Sequence, residues 1–252
     1  MQPIPTSNVS DLNLTQFENE YLPQAFVPEI LAANERTLEE RLAATKMTVS
    51  ATERIATVLG ILVLGKCPQD YLPGAYVQFL RINGSKLSDV IIDSEDIGGA
   101  VPDVLRRLDE KLVAHNRIAV DFTTDALERR TELYPIPALQ QIIRNAIMHR
   151  TYESTNAPVR VSWFNDRIEV LSPGGAYGTV TAGNFGQPGL TDYRNPTLAE
   201  AMRTHGYVQR FGVGIPTAKR LLTEACHPTP EFAVTDTHVQ VTIKSAIAPE
   251  TP

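Results

Sequence analysis

Along this chain the apolar residues recur at helical spacing in some stretches and in alternation or short runs in others, and the order of these stretches predicts the fold. From Asp11 to Ala44, Leu12, Leu14, Phe17, Tyr21, Leu22, Ile30, Leu31, Leu38 and Leu42 fall at roughly helical intervals, with Pro23 and Pro28 dividing the run into short helices. The uninterrupted apolar segment from Ala56 to Gly65 predicts a buried helix or strand, and periodicity alone leaves the two open. Tyr76 to Ile82 is rich in β-formers and stops at Asn83-Gly84, a strand followed by a tight turn, and Val90 to Ile92 predicts a second short strand. Between Ala100 and Asn116, Val104, Leu105, Leu108, Leu112 and Val113 alternate with charged residues at the spacing of an amphipathic helix.

The second half has a different rhythm. Tyr134 to Arg150 reads as one helix, and Val159 to Trp163 with Arg167 to Leu171 as a strand pair around Asn165-Asp166. Ser172-Pro173-Gly174-Gly175 then opens a glycine-rich connection to Asp192. A helix from Pro196 to Thr204, the loop Arg210-Phe211-Gly212-Val213-Gly214, a helix from Ile215 to Ala225, and two strands, Glu231 to Val234 and His238 to Lys244, complete the pattern. The expected fold class is α+β, with a C-terminal α/β sandwich of helices over a mainly antiparallel sheet preceded by a smaller α+β domain. The expected divisions are a flexible lead-in at 1–10, the smaller domain at 11–125, the sandwich at 130–245 and a flexible tail at 246–252, with the boundary near the polar stretch Thr123 to Glu132.

Composition narrows the function classes. A formal charge of −6, from 23 basic and 29 acidic residues, excludes a chain-wide basic field of the kind that drives non-specific nucleic-acid binding. The basic pairs Arg106-Arg107 and Arg129-Arg130 read as solvated helix faces. Cys67 and Cys226 lack the paired spacing of a zinc site or a disulfide framework. The apolar run Val58 to Leu64 is far too short to cross a bilayer, and no early stretch has the make-up of a signal peptide, so a cytoplasmic location is expected.

Candidate chemistry begins on the helix ending at Arg150. At about 100° per residue, Ile142, Ile143, Ala146 and Ile147 form an apolar arc, and Gln141, Asn145 and His149 form a stripe along its border. Polar groups so placed stand at the mouth of a crevice, where an amide suits a hydrated Mg²⁺ that needs few protein oxygens; read alone, they are equally well satisfied border residues. Gly174-Gly175 lets a ligand approach the backbone, Gly212-Val213-Gly214 precedes a helix whose bare amides and dipole suit phosphate, and Arg194 offers a guanidinium to phosphate. Each of these alone has a plain structural reading as a turn or a surface arginine.

In their order, the segments Asn145-Ala146-Ile147-Met148-His149-Arg150, Asp166-Arg167-Ile168-Glu169-Val170 with Ser172 to Gly175, Arg194-Asn195-Pro196, and Arg210 to Ile215 resemble the divergent GHKL ATPase domain. This Bergerat-fold, histidine-kinase-like ATPase domain occurs in bacterial and archaeal proteins labelled transcriptional regulators or helicase-related. The resemblance runs from Tyr134 to Ile243. It implies ATP and Mg²⁺ as ligands, with Asn145 as the magnesium-binding asparagine and His149 beside it on the stripe. Gly174 and Gly175 would lie by the adenine, Gly212 and Gly214 by the phosphates, and Arg194 and Asn195 on or near a lid. Thr57 to Gly65 and Pro68 to Ala75 resemble the segment that precedes this domain in the same proteins, where an AlbA-type domain of the Schlafen class usually stands earlier still; the expectation is that the sequence in hand starts after its place, as a short member or as a portion of a longer product.

Two positions depart from that pattern. Gln141 stands where the general-base glutamate is usual, and an amide orients water without accepting its proton; a lost base costs on the order of a hundredfold or more in rate. Ser172 is nearest the place of the adenine-binding aspartate and accepts a hydrogen bond without the charge that strengthens one. The expectation is therefore an ATP-binding regulatory module of the transcriptional-regulator type with weak or absent hydrolysis. The alternatives are a degenerate structural or dimerisation module that binds no nucleotide, and an active ATPase linked to DNA transactions; a neighbouring acid such as Glu132 could replace the base, but nothing in its spacing supports that. Nucleotide is the expected partner, followed by a second copy of the chain; nucleic acid is expected only weakly or through a domain absent from this chain.

Overall fold

The structure, a computed structural model, describes residues 2–116, 132–209 and 212–246. Six strands form one sheet among these residues: β1 (Val77–Asn83), β2 (Val90–Ile97), β3 (Val159–Trp163), β4 (Arg167–Pro173), β5 (Glu231–Val234) and β6 (His238–Lys244), in the order β2-β1-β3-β4-β6-β5. The β1–β3 pairing is parallel and the others are antiparallel. Alternation of side chains gives the sheet two unlike faces. Phe79, Val161, Val170 and Val241 lie in register and are buried beneath helices, whereas Gln78, Arg160, Leu171 and Gln240, also in register, form the open face.

Among the described residues, helices cover one face only. The chain starts with the short helices α1 (Leu14–Gln16), α2 (Leu22–Ala25), α3 (Pro28–Ala32) and α4 (Leu38–Ala44), followed by α5 (Val58–Leu64) and the longer α6 (Val101–His115), α7 (Ile136–His149), α8 (Pro196–Thr204) and α9 (Gly214–Glu224). Helix α7 packs on β3 and β4, with α6, α8 and α9 against it, and α5 packs on α6 and α8. The 56–65 segment resolves as a helix because Thr57 caps it: its hydroxyl accepts from Gly60 N at 3.1 Å and donates to Lys46 O at 2.7 Å. A side chain at Gly60 would strike the backbone of Met47, so close helix–loop packing requires the glycine. Pro23 interrupts nothing: it sits within a helical run from Leu14 to Ala25, and the chain breaks at Phe26-Val27, ahead of Pro28. The second strand is longer than the expected Val90 to Ile92.

Two expectations are corrected. Residues 2–10, expected as a flexible lead-in, run along 54–58, with Ile4 N donating to Ala56 O, Val9 N to Arg54 O and Val58 N to Gln2 O, and with Ser7 buried. Prolines 3 and 5 do not prevent this, because the paired amides belong to their neighbours. The two stretches expected as separate domains share one sheet and one core, since β1 from the first pairs with β3 of the second. The expected boundary at 125–130 and the tail from 247 lie outside the described residues, as does the Arg129-Arg130 pair.

At the end of α7, Arg150 is 1% exposed and pairs with no carboxylate among the described residues. Its Nη1 donates to Gly74 O, Nη2 to Ala157 O at 3.0 Å and Nε to Thr151 O at 3.1 Å, and its guanidinium lies 4.6 Å from the Tyr152 ring centroid. Burial lowers its pKa from the usual arginine value. Arg150 thus joins the Pro73-Gly74 turn of the first half to the α7–β3 connection. Arg150→Ala is expected to cost about 3 kcal/mol of stability in urea denaturation, since it strands buried carbonyls and opens a cavity. A loss under about 1 kcal/mol would show that water or neighbouring groups replace the guanidinium.

Candidate functional site

The stripe on α7 borders a cleft. Ile142, Ile143, Ala146 and Ile147 are buried while Gln141, Asn145 and His149 are half-buried, and all three of these polar residues line the same space. Val170, Val239 and Val241 form its floor, the glycine turn after β4 one wall, and the first turn of α9 another. Aromatic and aliphatic residues of the 175–193 connection, among them Tyr177, Phe185, Leu190 and Tyr193, roof it. The free space, its open mouth included, is about 1110 Å³.

Among the described residues the Asn145 amide has no hydrogen-bond partner, and neither does that of Gln141. The first turn of α9 faces them: its N-cap, Val213, offers no side-chain acceptor, so the amides of Gly214 and Ile215 stay uncapped, and Pro216 has none. A Cβ at Gly214 would stand 3.2 Å from Gln141 Oε1. Uncapped amides at a helix start carry the positive end of the dipole into the cleft, an environment for anionic oxygen.

Ser172 lies on the floor side, 6% exposed, and its hydroxyl donates to Ala146 O at 2.8 Å. With its single hydrogen so engaged, Ser172 offers the cleft acceptor lone pairs only. His149 stacks on Tyr193 with ring centroids 5.5 Å apart and planes 13° from parallel. Burial, and then the Arg194 charge, push its pKa down to about 4 against a smaller opposing pull from Asp192, so it is neutral at pH 7. Asp192 is the one carboxylate among the described cleft-lining residues, and its Oδ2 accepts from Thr179 N at 3.1 Å. Glu132 is not among the lining residues.

Of the residues expected at the site, Gln141, Asn145, His149, Ser172, Gly174, Gly175, Gly212 and Gly214 line the cleft, and Arg194 and Asn195 do not. The Arg194 guanidinium is engaged with backbone: Nε donates to His149 O at 3.2 Å and Nη2 to Gly175 O at 3.0 Å. The Asn195 amide donates to Met148 O at 2.9 Å and Arg150 O at 2.7 Å. Arg210 and Phe211 lie outside the described residues. Gly174, at φ +98°, and Gly175 are required by packing of the chain on itself, since a side chain at 175 would strike the Thr235 and Asp236 backbone. The roof residues escaped sequence reading because they sit singly in a glycine-rich stretch with no period; their aromatic content was the available signal.

Residues 156–243 match the family described as "Putative ATP-dependent DNA helicase recG C-terminal". This part of the chain is similar to an ATPase-like domain, and the match includes both glycine turns but begins after α7. The crystal structure of the DIP2311 protein from Corynebacterium diphtheriae superposes with a TM-score of 0.69 at 19% identity, over 97% of this chain and 46% of that one. The likeness shows the fold, and this chain spans about half the length of that protein. No curated protein matches.

The neutral His149 has a measurable consequence. As pH falls from about 6.5 towards 4, the unfolded chain takes up a proton that the folded chain refuses, so stability drops across that window. In His149→Phe, which keeps a ring against Tyr193, this part of the drop, on the order of 2 kcal/mol, is expected to vanish from denaturation curves recorded between pH 7 and 4. Identical pH profiles for the two proteins would contradict the assignment.

Proposed function

We propose that the cleft binds ATP with Mg²⁺ and that the protein is a nucleotide-dependent regulatory module with little or no hydrolysis. One observation carries the reading: the half-buried, unpartnered Asn145 amide faces the uncapped start of α9 across a cleft walled by a glycine turn. Asn145 would hold the metal through its oxygen, and magnesium would supply charge neutralisation to the phosphates. The amides of Gly214 and Ile215 would receive phosphate oxygens, and Ser172, limited to accepting, would take a hydrogen from the base's exocyclic amino group.

The same cleft is poor in bases. Gln141 accepts no proton, and Asp192 is tied to Thr179 N on the roof. The 175–193 connection would act as the lid: it already has internal turns, Val180 N to Tyr177 O, Asn184 N to Thr181 O and Gln187 N to Asn184 O, on which a nucleotide can act. A role of the transcriptional-regulator type fits such a switch, with any strong nucleic-acid contact supplied by a domain other than this one. Among the described residues no helix is long and apolar enough to cross a membrane.

Calorimetry with ATP and Mg²⁺ tests the reading. Wild-type protein is expected to bind, and Asn145→Ala to bind about tenfold or more weakly with most of the magnesium dependence gone. Absence of wild-type binding at millimolar nucleotide would sink the proposal. Restoring a carboxylate with Gln141→Glu is expected to raise ATP turnover about a hundredfold over wild type. Turnover already high in wild type and unmoved by the change would mean that another group serves as the base.

A further inference from the structure

A second cavity lies behind the Gly174-Gly175 turn, on the open face of the sheet. Its floor is the in-register row Arg160, Leu171 and Gln240, and its walls are the α7–β3 connection and the β5–β6 turn. The free space, mouth included, is about 1230 Å³. Hydroxyls of Thr151, Ser154 and Thr237 line it, along with His238 and two guanidiniums, those of Arg160 and Arg194.

Neither arginine pairs with a carboxylate among the described residues. Arg160 Nε donates to Gln78 Oε1 at 2.8 Å, and Gln78 Nε2 in turn reaches Asp96 at 3.3 Å, so the side chain is held from behind while both Nη groups stay unclaimed. Arg194 spends Nε and Nη2 on the carbonyls of His149, Gly175 and Ala176, which leaves Nη1. Thr151 and Ser154 share one hydrogen bond at 2.9 Å, so one of the two hydroxyl hydrogens remains to donate. The described carboxylate on the rim is Asp236, which is exposed, so water and salt screen its charge. The unclaimed Nη pair of Arg160, the remaining Nη1 of Arg194 and a hydroxyl donor match the several acceptor oxygens of a phosphate group better than the two of a carboxylate.

We infer that this second cavity binds a phosphate group, gripped by Arg160 and Arg194, at a site distinct from the nucleotide cleft. Arg194 also holds the last turn of α7 and the base of the roof, so an occupied second cavity would act on the cleft beyond the shared glycine turn. That coupling rests on the nucleotide reading above; the phosphate site itself does not.

Titration of the nucleotide-free full chain with inorganic phosphate, followed by heteronuclear NMR shifts, tests the site. Saturable binding is expected, weakened about tenfold to a hundredfold in Arg160→Ala and unchanged in Asn145→Ala. No saturation by tens of millimolar phosphate, or a loss in Asn145→Ala with none in Arg160→Ala, overturns the proposal. Should Arg160→Ala unfold, Arg160→Lys keeps the charge and removes the fork; binding equal to wild type would then count against it. A parallel titration with a phosphoserine peptide separates the sources: tighter binding than phosphate points to a modified protein, equal or weaker binding to a small free phosphate. Repeating the ATP calorimetry at saturating phosphate is expected to shift ATP affinity at least threefold, and an unmoved affinity would overturn the coupling alone.

Discussion

The last turn of α7 ends in carbonyls of which only Ala146 O has a backbone donor, the Arg150 amide, and the way side chains satisfy them holds the site together. Ala146 O accepts from Ser172 on β4, Ile147 O from the buried Tyr152 hydroxyl, Met148 O from Asn195 and His149 O from Arg194. Arg150 O accepts again from Asn195. Four side chains from three parts of the chain therefore converge on a single helix end. Asn145 and His149 sit one turn or less back from these anchors, so their placement over the cleft follows from the carbonyls behind them. The positive Arg194 also lies at the negative end of the helix dipole, which favours it there over open solvent.

This arrangement changes the meaning of several residues that look like ligand groups. Arg194 suggests a phosphate contact, and Asn195 a place on or near a lid, when read along the sequence, yet in the fold Arg194 Nε and Nη2 and the Asn195 amide bond backbone oxygens and so position the stripe. Gly174 and Gly175 suggest room for a ligand, yet their missing side chains first admit the β5–β6 turn and the Thr151 backbone. Gly212 differs: at φ +60° and packed on Thr191, it lets the chain turn into α9 beneath the roof, which leaves the next amides bare. A glycine in a sequence says that a side chain is excluded. It does not say whether ligand or protein excludes it.

The legible parts were those with a period. The helical spacing through 142–147 placed α7 and its border stripe, and alternation placed β3, β4 and β6, because burial against one face imposes such patterns on the sequence. What escaped were long-range backbone pairings that leave no periodic trace. The strip at 2–10 is mostly polar and proline-bearing, and its order comes from hydrogen bonds to 54–58 together with the packing of Ile4 and Val9, which have no periodic spacing, against the core. Likewise nothing in Val77–Asn83 announces that its neighbour will be Val159–Trp163, so two stretches with different rhythms looked like two domains. The roof of the cleft was unreadable for the same reason: Phe185 packs on Phe232, 5.4 Å between centroids, and Lys219 reaches Gly186 O, contacts between segments that share no pattern.

The charge balance of the cleft then follows from these commitments. Its basic neighbour Arg194 gives Nε and Nη2 to carbonyls and keeps only Nη1, which faces the second cavity, its histidine is held neutral by burial, and its carboxylate is bound to the roof backbone. Among the described residues, what remains to meet a ligand is neutral polar: two free amides on α7, two bare N–H groups at the start of α9, and a serine restricted to accepting. Such a set can receive a polyanion that brings its own cation, because dipoles and metal share the compensation of its charge. Among the described lining residues its proton acceptors are Asp192, held by the roof backbone, and His149, whose pKa burial pushes down to about 4; an amide such as Gln141 takes no proton from water. If the cleft takes nucleotide, as we propose, the groups that meet it are those the helix end leaves unengaged.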